Sequence, residues 1–134
     1  MDTIQCAVVL AKLEQFDWEL GQRQEIGARY SELLMEKPRV CELITVRDDR
    51  TSVLAQYSVL VEDRESVQDA MKGKGVPSAV HYPIPLNEQP AYRDLCCPDC
   101  TPVARRISGQ VLSLPMGPYL SIGDQRSVVK AVRG

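Results

Sequence analysis

The residues with most chemistry to offer lie in the middle of the chain. His81 is the only histidine among 134 residues, and Tyr82 follows it directly in AVHYPIPLNEQPAY, residues 79–92. An imidazole beside a phenol can hydrogen-bond a carboxylate, a phosphate or sugar hydroxyls, and a charged imidazole strengthens such bonds. Pro83 and Pro85 come next. Each fixes its own φ and holds the residue before it, Tyr82 or Ile84, extended. A loop stiffened this way can present two side chains at a rim with little entropy left to lose on binding. The simpler reading of the bare residues is a structural histidine followed by a proline bridge between two elements.

The second cluster is CCPDC, with Cys96, Cys97 and Cys100. A zinc site would need another ligand pair at a suitable spacing, and Cys41 stands alone. A redox C-x-x-C normally opens a helix after a strand, whereas this one shares a loop with Pro98 and Asp99. The five cysteines are an odd count and no secretion signal precedes them, which disfavours a disulfide framework. A plain solvent loop is the first expectation. A metal site at Cys97 and Cys100, or redox chemistry there, are the alternatives. No phosphate-binding glycine loop or G-x-S-x-G elbow is present, and MKGKG reads as a lysine-rich helix end. Read alone, the chain lacks a complete active site.

Composition narrows the classes further. The 16 basic and 18 acidic side chains leave a net charge of -2 with no basic block, which argues against phosphate-driven nucleic-acid binding. No apolar run approaches the roughly 20 residues that span a bilayer. The start, MDTIQCAVVLAKLEQ, lacks the basic region and cleavage site of a signal peptide, so a cytoplasmic protein is expected.

The elements that must position these groups follow from periodicity. Residues 3–13 read as a helix whose apolar face (Ile4, Ala7, Val8, Leu10, Ala11, Leu13) is wide enough to suggest burial against something large. A second helix is expected over 17–36, with Ile26, Tyr30, Leu33 and Leu34 inward, ended by Pro38. Strands are expected at 41–46, at 53–61 (Val53, Ala55, Tyr57, Val59 and Val61 on one face, Gln56 and Ser58 on the other) and at 76–82. Asp63 is placed to cap a helix over 64–74 carrying Val67, Ala70 and Met71. A helical turn is expected at 90–95, and Thr101 with Pro102 reads as the start of another helix. Residues 112–115 read as extended and 123–133 as a last helix, with Asp124 near its start and Lys130 and Arg133 near its end. The sum is an α+β domain: a small antiparallel or mixed sheet with helices on one side.

Four segments in order, MDTIQCAVVLAKLEQ, SVLAQYSVLVEDRESV, GVPSAVHYPIPLNEQPAY and VLSLPMGPYLS, resemble the C-terminal part of DegT/DnrJ-type sugar-nucleotide aminotransferases. Among these, the chain is most similar to enzymes that aminate UDP-2-acetamido-2-deoxy-3-oxo-glucuronate for bacterial surface polysaccharides such as O-antigen lipopolysaccharide. The resemblance implies the small C-terminal domain of the aspartate-aminotransferase fold, with residues 1–36 as a helical lead-in, residues 37–134 as the small domain and the large cofactor domain absent. It implies pyridoxal phosphate in the intact enzyme, a UDP-sugar substrate, glutamate as amino donor and a homodimer. The family's cofactor lysine has a Ser-Phe…Lys-Asn context that none of Lys12, Lys37, Lys72, Lys74 and Lys130 shares. The chain alone is therefore expected to be inactive and to bind no cofactor. By resemblance, His81 and Tyr82 line the sugar-nucleotide site, and Gln56 is expected to face the same cleft. Gly117 and Asn87 stand where the family often has histidine.

Overall fold

The computed structural model describes residues 2–35, 41–97 and 99–134. Helix α1, Thr3–Leu13, begins at Asp2, whose carboxylate accepts the Gln5 N–H at 2.8 Å. The Gln5 side chain accepts the Asp2 N–H in return, closing a capping box. Helix α2, Phe16–Met35, buries Ile26, Tyr30 and Leu34, spaced by four residues so that they form one stripe. Gly27 lies beside that stripe with Leu54 over it. A Cβ there would come within 2.1 Å of a Leu54 methyl. Pro38, expected to end this helix, lies outside the described residues, as does Lys37.

Strands β1 (Glu42–Leu43), β2 (Tyr57–Leu60) and β3 (Val111–Leu114) form one antiparallel sheet in that order. Tyr57 pairs with Leu114 and Val59 with Leu112, so these four side chains share one face. Helices α3 (Arg64–Gly73), α4 (Pro102–Gln110) and α5 (Ile122–Val132) complete the fold. Tyr30 of α2, Met71 of α3 and Val128, Val129 and Val132 of α5 join that face in a single core cluster. Each fully buried side chain of this kind contributes about 1.5–3 kcal/mol. The expected α+β arrangement is therefore present. Asp63 caps α3 by accepting the Ser66 N–H at 3.1 Å. Ser121 and Asp124 form a second capping box at the start of α5. Among the described residues, no helix is long and apolar enough to cross a membrane.

The strands are shorter than the alternation suggests. At 53–56, Leu54 takes φ 47, which breaks the extended run, and only Tyr57–Leu60 pairs. Val53 and Ala55 are exposed, and Gln56 precedes the strand instead of lying in it. The expected strand over 76–82 reduces to one bridge, Ala79 with Ser113. Its donors explain why. The Val76 N–H is taken by the Met71 carbonyl at the end of α3, and Pro77 has no N–H to give. The strand expected at 41–46 keeps only Glu42 and Leu43. Thr101 does stand at the start of α4, but its hydroxyl donates to Asn87 Oδ1 at 2.9 Å instead of capping the helix. α4 ends at Gln110, and Val111 opens β3.

Candidate active-site cleft around His81

The Ala79–Ser113 bridge sets the position of His81. Ser113 accepts the Ala79 N–H at 3.1 Å and donates its own N–H to Ala79 at 2.8 Å. Two residues later, His81 Nδ1 lies 3.3 Å from the Ser113 hydroxyl. That hydroxyl lies 2.9 Å from Ser58 Oγ, directly across the β2–β3 pairing. Ser58 and Ser113 therefore occupy the sheet face opposite the apolar core residues Val59 and Leu112, toward the 79–81 segment. His81 Nε2 has no hydrogen-bond partner among the described residues.

His81 stands between two open clefts. The smaller, of about 230 Å³, brings Gln56, Ser78 and His81 together above Ser113, with Pro115 and Met116 on its far wall. The larger, of about 690 Å³, runs from His81 and Tyr82 past Ile84 and Leu86 to Ile107 of α4. Its lining is mainly apolar. The rings of His81 and Tyr82 meet edge to face, with centroids 5.7 Å apart, and the peptide between them is cis. Tyr82 is 73% exposed, so its hydroxyl is open to a ligand. Gln56 and Tyr82 do not share a cleft; His81 alone borders both.

The far wall is held from beneath. Tyr30 OH donates to the Pro115 carbonyl at 3.0 Å, and Tyr57 OH exchanges a hydrogen bond with Ser31 Oγ at 2.8 Å. Burial raises both phenols, Tyr30 further through neighbouring Tyr57, while the Ser31 hydrogen bond partly opposes the rise at Tyr57. They are structural hydroxyls, kept neutral. Burial likewise raises the Cys41 thiol, with Arg133 opposing.

The cysteine loop borders the larger cleft without presenting thiolates to it. Cys97 and Cys100 are joined in a disulfide, their Cα atoms 5.4 Å apart. A bonded pair cannot act as two thiolate ligands, so the metal-site alternative at Cys97 and Cys100 is set aside. The odd count misled only about this one local bridge: Cys6, Cys41 and Cys96 stay free. Asn87 ties the loop to the 3-10 turn at Leu86–Glu88 by donating to the Cys97 carbonyl at 3.2 Å. Arg105 of α4 adds ion pairs to Glu88 at 2.7 Å and Asp99 at 3.3 Å. The residues missed by reading the sequence are Ser78 and Ser113, while Ser58 is placed on the face opposite the core without a role. The one available signal was a serine inside the apolar strand VLSL, where alternation turns it away from the core.

The sequence profile of the DegT/DnrJ/EryC1/StrS aminotransferase family matches residues 1–133. The chain belongs to this family. It is 43% identical, over 98% of its length, to the UDP-2-acetamido-2-deoxy-3-oxo-D-glucuronate aminotransferase of Pseudomonas aeruginosa, of which it covers 36%. It is 33% identical to the dTDP-3-amino-3,6-dideoxy-alpha-D-galactopyranose transaminase of Aneurinibacillus thermoaerophilus, again covering 36% of that protein. Among solved structures, a DegT DnrJ EryC1 StrS aminotransferase from Brucella abortus superposes with a TM-score of 0.91 at 36% identity. That match takes in 100% of this chain and 35% of the other. The family chain described here thus spans about a third of the length of the relatives it matches.

Proposed function

We propose that this chain is the C-terminal, substrate-closing domain of a pyridoxal-phosphate-dependent sugar-nucleotide aminotransferase. Residues 1–36 are its helical lead-in and 37–134 its small domain. The intact enzyme, a cytoplasmic homodimer, converts a 3-keto UDP-uronic sugar to the amino sugar for bacterial O-antigen lipopolysaccharide, with glutamate as donor. The reading is carried by His81 standing where two clefts meet, with Gln56 on one side and Tyr82 on the other. Imidazole N–H and amide N–H groups around the small cleft suit a sugar carboxylate, and the Tyr82 hydroxyl suits a ring hydroxyl. The 43% identity to a glucuronate aminotransferase supports a uronic acid over a neutral sugar.

The cofactor supplies the amino-transfer chemistry when bound to the intact enzyme. The described residues do not fit a lysine-linked site. Lys12, Lys72, Lys74 and Lys130 are exposed, and none lines either cleft at His81. What this chain does is bind the sugar end, orient it and shield it from water.

The test is co-expression with the remaining two thirds of the Pseudomonas aeruginosa relative, followed by measuring amino transfer from glutamate to the keto-sugar nucleotide. Turnover is expected, with His81→Ala lowering it at least about tenfold, the scale of a lost charge-assisted bond. Indifference of that assembly to this chain, or to His81→Ala, refutes the reading and favours a non-catalytic interaction module. A lysine-specific aldimine absorbance band on the isolated chain after adding pyridoxal phosphate would contradict it too.

A further inference from the structure

We propose that Ser113, backed by Ser58, is a positioning residue that fixes the orientation and tautomer of His81, so that Nε2–H faces the ligand. The inference rests on the reading of His81 as a ligand-holding group. Three observations carry it. Ser113 is 4% exposed, so its hydroxyl must find partners inside the protein. The partners it finds are Ser58 Oγ at 2.9 Å and His81 Nδ1 at 3.3 Å. The backbone bridge between Ala79 and Ser113 holds the segment in place independently of either side chain.

The hydrogen-bond inventory permits the direction proposed. A serine hydroxyl has one proton to give and can accept in return. With Ser58 donating to Ser113 and Ser113 donating to His81 Nδ1, the Ser113 hydroxyl both gives and accepts. Nδ1 is then an acceptor, and the neutral ring carries its proton on Nε2. Nε2 is the ring nitrogen left without a partner, on a residue that borders both clefts. A carboxylate oxygen that reaches Nε2 then meets a fixed donor. An imidazole free to rotate or change tautomer would lose part of that advantage on binding. The substitution that tests this is mild, because Ser113→Ala removes the hydroxyl and keeps the backbone bridge.

The chain's single histidine makes the readout unambiguous. Long-range proton–nitrogen NMR of the uniformly labelled chain reports which imidazole nitrogen carries the proton and whether the other accepts a bond. The expected result is an Nε2–H ring with a hydrogen-bonded Nδ1. In Ser113→Ala, Nδ1 moves to the shift of an unbonded nitrogen while the Ala79 amide signal stays in place. Ser58→Ala moves Nδ1 less, in the same direction, and Ser113→Thr restores the parent spectrum. UDP-glucuronate, titrated as probe, shifts Nε2 and binds about two- to tenfold more weakly to Ser113→Ala, the range of one net hydrogen bond. Imidazole signals indifferent to both alanine variants overturn the proposal, whatever the ligand does. If Ser113→Ala fails to fold, the Ser58→Ala shift decides in its place. Imidazole signals that respond while UDP-glucuronate leaves Nε2 untouched uphold the positioning role and sink the uronic-acid reading instead.

Discussion

Helices α1 and α5 have 11 residues each, and each opens with a capping box, Asp2–Gln5 in one and Ser121–Asp124 in the other. Their fates differ. α5 buries Gln125, Val128, Val129, Ala131 and Val132, whereas α1 buries nothing. Ile4 is 78% exposed and Leu10 65%. Phe16 and Trp18, at the start of α2, extend this bare surface, and the Trp18 ring lies against Tyr119. Caps decide where a helix starts, because they satisfy its first N–H groups locally. Burial is decided by what lies across from it. α5 has α3 and α2, and its Gln125 accepts from Arg29 at 2.7 Å and donates to the Ile26 carbonyl at 2.8 Å. Under the proposed function, the missing neighbour of α1 is the large domain of the intact enzyme.

Alkaline pH should separate the two regions most. Burial raises the Tyr30 and Tyr57 phenols in the folded state, so the neutral forms stabilise the core. That contribution is complete below the unfolded tyrosine value of about 10 and is lost as pH climbs above it. A stability curve against pH, followed by urea melts, should fall on the alkaline side. A curve that stays flat there would mean these phenols are not buried as described.

Next in size is Val129→Ala, which empties a site only 3% exposed and should lower unfolding free energy by about 2 kcal/mol. The caps give a subtler contrast. Ser121→Ala should cost about 1 kcal/mol of global stability. Asp2→Ala should cost the fold almost nothing while removing helical circular dichroism, since α1 can fray without opening the core. Equal global losses from the two would break the comparison. Smallest of all is Leu10→Ala, within about 0.5 kcal/mol in this chain. A loss comparable to that of Val129→Ala would show α1 already docked on something.

The bounds of α1, α3 and α5 were readable to within a residue or two, because apolar spacing and capping residues act over a single turn. The strands were not. The Val53–Val61 alternation promised twice the length that pairs, and the Leu54 backbone turned it aside. The 76–82 run was rich in β-formers, yet Pro77 has no N–H and the Val76 N–H is taken by Met71. At the site, His81 and Tyr82 drew notice as rare types before prolines. Ser113 did not, since a serine in a strand signals little until its neighbours are known.

By itself the sequence settled the helices, the class of fold and the kinship to sugar aminotransferases, all of which reside in short-range pattern and ordered motifs. Only the tertiary structure decided where pairing stops, which of two equally capped helices is covered, and what stands behind His81. Those answers depend on groups brought together from distant parts of the chain: 32 residues separate His81 from Ser113, and 55 separate Ser113 from Ser58.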